Sequence, residues 1–182
     1  MRKLLDFLYL SSGALAALFL VGIVVLVFAQ VVLNLIDKIA AGVFGNAIGL
    51  TIPSYSDFTG FFLAAASFLA LAYTLRGGAH IRVTLVTGLL GQRWQNFFEW
   101  AALIVAAGMT GFAAYYVVLL VLESHEFGDM TSGMVSIPLW VPQAPVALGL
   151  IVLTIALIDE LVTLALGGRP SYEGKGENLL SE

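Results

Sequence analysis

Long apolar runs separated by short polar connections set the plan of this chain. No charged residue occurs from Phe7 to Ile36. A run of about 18 or more such residues reads as a membrane-crossing helix, and this one is too long for the apolar core of a signal peptide. The pattern predicts an uncleaved first span over about 8–33. Its early part is rich in small residues (Ser11, Ser12, Gly13, Ala14, Ala16, Ala17), which permit close helix approach. A second uncharged run predicts a span over 58–75, with a stripe of Ala65, Ala66 and Ala70. Gly77 and Gly78 follow it, as suits a helix end that needs a left-handed residue. The third predicted span covers 97–122 and the fourth 142–158.

The segment between the first two spans has a different pattern. Ile36, Ile39, Val43, Phe44, Ala47 and Leu50 recur at helical spacing, with Asp37, Lys38 and Asn46 elsewhere on the wheel. That predicts an amphipathic helix over about 35–50 lying in the membrane interface. Pro53 breaks it, and Ser56 or Asp57 is the expected N-cap of the second span. In the third span, Ala107-Gly-Met-Thr-Gly111 places Gly108 and Gly111 on a helix-packing motif, and Trp94 and Trp100 are expected interface anchors. Residues 167–182 are polar and predict a flexible tail.

Composition sharpens this picture. Mean hydropathy is +0.98, and charged residues make up 11% of the chain, well under the roughly one quarter of soluble domains. The expected fold is an all-α integral membrane protein: four transmembrane helices and an interfacial helix in one domain, 1–166, with the tail beyond. Net charge is −4, which argues against nucleic acid as a partner, and the absence of cysteine excludes disulfides and thiolate metal sites. Of the eight Lys and Arg, only Lys38 falls on the connections at 37–57 and 123–137. The other seven sit at the N-terminus, at 76–93 and in the tail, which predicts both termini in the cytoplasm.

The predicted spans contain little chemistry. Their polar residues are chiefly Gln30, Thr74, Thr110 and Thr154, read as packing or hydrogen-bonding groups rather than an ion pathway. The two histidines, His80 and His125, fall on opposite predicted sides and cannot share a haem or metal. No catalytic motif occurs in a credible context, so an enzyme is not expected.

Two segments carry a resemblance. Phe68-Leu-Ala-Leu-Ala-Tyr-Thr-Leu-Arg-Gly-Gly-Ala-His-Ile-Arg-Val-Thr-Leu85 resembles the signature of the small membrane subunit of TRAP (tripartite ATP-independent periplasmic) transporters, the dicarboxylate-type Q subunit. Ser132-Gly-Met-Val-Ser-Ile-Pro-Leu-Trp-Val-Pro142, with Gly149, is similar to the segment leading into the family's last helix. The likeness covers about residues 10–165. It implies a non-catalytic scaffold that pairs with a large multi-helix subunit carrying the solute and sodium sites, served by a periplasmic solute-binding protein. This chain would hold no cofactor itself. Arg76, Gly77, Gly78, His80, Ile81 and Arg82 match the family's cytoplasmic motif; Asp57 stands where an acidic residue is common; Pro138, Trp140 and Pro142 match the start of the fourth span. With Gly108 and Gly111, these are the expected contacts to partner subunit or lipid. Asn34 replaces a common arginine, and the 35–56 segment is longer than in compact members. A stand-alone carrier or channel, or the anchor of a redox complex, are the rival readings.

Overall fold

The computed structural model describes residues 2–78 and 92–168. Within them are four helices: α1 (Arg2–Phe44), α2 (Tyr55–Gly77), α3 (Gln92–Phe127) and α4 (Trp140–Ala165). Each is long and apolar enough to cross a membrane, as the apolar runs predict. All four overrun the predicted spans, because charged residues near a helix end add turns without breaking the backbone ladder.

α1 departs most from expectation. It continues without a break for 43 residues, so 35–44 belong to the first helix and 45–50 lie outside any helix. The separate helix expected over 35–50 is not present. The apolar periodicity was genuine, but no proline or turn dipeptide interrupts 2–44, and continuing a helix avoids nucleating a new one. Gly45, with φ 76°, ends it. The chain then folds back along the last turns. The Asp37 carboxylate accepts the N–H groups of Ile48 and Gly49, both at 2.7 Å. Gln30, nearly buried, accepts the Ile52 N–H at 2.8 Å and donates to Thr51 Oγ1 at 3.0 Å.

α2 begins one residue after Ser54, which takes a left-handed conformation (φ 57°). The cap is therefore Ser54 rather than Ser56 or Asp57. Its carbonyl accepts the Asp57 and Phe58 N–H groups, while its hydroxyl is engaged elsewhere. At the far end Gly78 (φ 73°) caps the helix as expected, its N–H bonded to the Leu75 carbonyl at 3.1 Å.

The helices stand in a row, in the order α1, α2, α4, α3, with α1 also grazing α4. α2 and α4 are the middle members. One buried cluster joins Tyr9, Ala72, Val152 and Ala156 across α1, α2 and α4; another joins Leu103 to Leu153 and Leu157 across α3 and α4. The broad faces remain apolar and open, as membrane-embedded surfaces do.

Candidate functional site

Three sets of contacts fix the helices, one at each end of their length and one midway along it. At the end that holds the start of α1 and the finish of α2 and α4, Arg76 is the hub. Its guanidinium meets Asp6 of α1 at 2.5 Å and Asp159 of α4 at 3.1 Å. It also lies 5.3 Å from the centroid of the Tyr9 ring, within cation–π range. A planar fork with several donors suits two carboxylates on two helices, and a lysine could not reproduce it. Tyr9 is 2% exposed, and Glu160 beside Asp159 is buried as well.

In the middle, α2 is gripped on both sides at one residue. Ser12 Oγ donates to the Leu69 carbonyl at 2.6 Å. From the other side Gly149 of α4 presses on the backbone of Phe68 and Leu69, so closely that a Cβ there would lie 2.5 Å from the Phe68 carbonyl carbon. Small residues make both approaches possible.

At the opposite end, the loop between α3 and α4 is folded onto the start of α2. Thr131 N–H bonds to the Ile137 carbonyl at 2.9 Å and Leu139 N–H to the Asp129 carbonyl at 2.8 Å, closing a small hairpin. Val135 N–H donates to Ser54 Oγ at 3.0 Å, which is where the cap residue's hydroxyl is spent. Gly133 sits directly against the Asp57 carboxylate, with no room for a side chain.

The expected contact residues are thus divided. Arg76 is bound by carboxylates of its own chain, whereas the sequence suggested lipid headgroups or a partner's carboxylates. Gly77 and Gly78 end α2 next to it. Asp57 serves the loop contact, and Pro138 pairs with Met130 across the hairpin. Trp140 opens α4, its ring 5.5 Å from that of His125, and Pro142 lies half-buried in the first turn. Gly111 faces α4, where a Cβ would be 3.6 Å from Thr154, but Gly108 faces open space. Trp94 is 59% exposed and clusters with Phe97 and Phe98; Trp100 is half-buried. His80 and Arg82 lie outside the described residues.

The span threonines are occupied by backbone, whereas Gln143 Oε1 is buried without a hydrogen-bond partner. Thr110 and Thr154 donate to the carbonyls of Ala106 and Leu150, both at 2.8 Å. Sequence reasoning missed Asp6 and Asp159 as partners of Arg76. Three charges of mixed sign, each at the same predicted end of its helix, were the available signal.

A family model described as tripartite ATP-independent periplasmic transporters, DctQ component, matches residues 23–167. The chain belongs to the DctQ family. The match takes in the second half of α1 and the whole of α2, α3 and α4; Asp6, Tyr9 and Ser12 lie before it, while the α2, α4 and loop sides of all three sets of contacts lie within it. The family is a transporter component rather than an enzyme family, and the DctQ component acts in a system of three parts. No individual curated protein matches the chain.

Proposed function

We propose that this DctQ chain is the small, non-transporting scaffold subunit of a binding-protein-dependent solute importer. The observation that carries the proposal is the family match over 23–167. In this reading it pairs with a large multi-helix membrane subunit, which holds the solute and sodium sites. A periplasmic solute-binding protein delivers an organic acid to that pair. The chain sits in a bacterial inner membrane with both termini in the cytoplasm, the orientation favoured by seven basic residues against one. Arg76 then stands at the cytoplasmic end and the Ser54–Val135 contact at the periplasmic end.

Two structural features support a scaffold role. The span threonines Thr110 and Thr154 each donate to a backbone carbonyl one turn earlier, as residues that pack rather than bind an ion do. The row of helices also keeps long apolar flanks available to a second membrane protein.

Isolating the chain, tagged at its C-terminus, from native membranes in mild detergent tests the proposal. A stoichiometric, much larger polytopic protein is the expected companion, with sodium-dependent uptake only when both are reconstituted with the binding protein. Solute movement by the chain alone would establish a stand-alone carrier instead. A visible haem spectrum would point to a redox anchor.

A further inference from the structure

α2 and α4 are packed unevenly along their length. From the middle to the Arg76 end both are lined with core residues: Ala65, Leu69 and Ala72 of α2 and Val152, Ala156 and Leu157 of α4 are all buried. Toward the loop end this lining stops. No residue of α2 from 55 to 64, and none of α4 from 140 to 146, is buried. Buried apolar packing therefore holds the two helices together over one half only.

At the loop end the join is polar. Val135 N–H donates to Ser54 Oγ at 3.0 Å, and Gly133 lies against the Asp57 carboxylate. Such a bond contributes little net stability, because water offers both groups an alternative. The α2 side of the join is anchored, since Gln30 of α1 bonds to Thr51 and Ile52 just before Ser54. The α4 side is not. Pro145 stands inside α4, one turn before Gly149. It has no N–H to give the Val141 carbonyl, and a proline in that position bends or weakens a helix. The turn before it is attached to α3, where the Trp140 ring lies 5.5 Å from that of His125.

The joined arrangement also leaves a polar group unpaired. Gln143, in the turn between Pro145 and the loop, has its Oε1 buried without a hydrogen-bond partner. An acceptor that has given up water and gained no donor opposes the arrangement that buries it.

We infer that α4 carries a hinge at Pro145, with the Ser54–Val135 bond as its catch. The close approach of Gly149 to Phe68 is the fixed point. In the closed form the loop and the first turn of α4 rest on the start of α2. In the open form they lean with α3, and Gln143 recovers water. A weak catch opposes an unpaired acceptor, so the two forms lie close in free energy, and anything that binds one of them better shifts the balance.

The chain has no cysteine, so pairs of spin labels report each end of the helices separately. Ser56→Cys with Val141→Cys spans the loop end, and Leu4→Cys with Val162→Cys spans the Arg76 end; all four positions are exposed. Pulsed electron resonance then gives both distances for the full chain in lipid nanodiscs. Ser54→Ala is expected to add a longer distance at the loop end and leave the Arg76 end unchanged. Amide exchange at Val135 should become about tenfold faster, the loss of one hydrogen bond. Gly133→Ala crowds the Asp57 carboxylate and should open the catch in the same way, so either variant decides the matter if the other does not fold. Pro145→Ala, added to the Ser54→Ala chain, supplies the missing N–H and should restore the shorter distance. An unchanged loop-end distance in the catch variants would overturn the hinge. Equal widening at both ends would overturn it too, as general loosening, and so would an open population that persists with Pro145→Ala.

Discussion

Gly149 lies against the main chain of Phe68 more closely than any side chain would allow. A Cβ on Gly149 would stand 2.5 Å from the Phe68 carbonyl carbon and 2.6 Å from its oxygen. The obstacle is backbone, which cannot swing away, so α2 and α4 would have to separate.

Gly149→Ala should therefore destabilise the chain, although alanine favours helix by about 1 kcal/mol. Overpacking against backbone costs about 1–3 kcal/mol and outweighs that gain. A lower melting temperature in detergent is the expected result. Gly108→Ala is the counterpart, because nothing lies within 4 Å of its would-be Cβ. The isolated chain should melt at the same temperature or slightly higher. If Gly108 meets the large subunit, co-purification should fall while stability does not.

Arg76→Gln should cost more than the loss of either carboxylate alone. Asp6 is half-exposed at 51%, so its pair with Arg76 is worth about 0.5–1 kcal/mol, whereas Asp159, at 21%, is better shielded. Thermal denaturation should rank Arg76→Gln first, then Asp159→Asn, then Asp6→Asn, with only the last effect largely erased by salt. Arg76→Lys should recover part of the loss, since an ammonium cannot serve both carboxylates in one plane.

Ser12→Ala removes a buried hydrogen bond without adding bulk. The Leu69 carbonyl keeps its helical partner, so the loss should be modest, about 0.5–1.5 kcal/mol. Ser12→Val should be distinctly worse, because it adds volume at a buried position where Oγ already lies 2.6 Å from the backbone of α2. Equal melting temperatures for the two variants would show that α1 and α2 do not depend on close approach at Ser12.

Gln30→Leu should act locally. It leaves the Ile52 N–H without the acceptor it now has at 2.8 Å and breaks the bond to Thr51. Amide exchange at Ile52 and proteolysis within 45–53 should both accelerate, while global melting changes by no more than about 1–2 kcal/mol.

The four membrane-length helices and the glycine end of α2 were legible because apolar length and left-handed glycine are local properties. The continuity of α1 was not. Amphipathic spacing over 35–50 is the same whether the helix is new or prolonged, and only the absence of a breaker between Leu33 and Ile36 distinguishes them. The role of Arg76 was legible in part. Its place at a helix end followed from the sequence, but its partners are 70 and 83 positions away, and pairing at that separation depends on which helices become neighbours. Gly149 belongs to a recognisable sequence segment, but its purpose depends on α4 lying beside α2.

The order α1, α2, α4, α3 makes the described helices a palisade one helix thick. A fence of four posts has two sides and no bore. A solute passing beside these helices would meet only one wall in them, and in the proposed pairing the large subunit would supply the other.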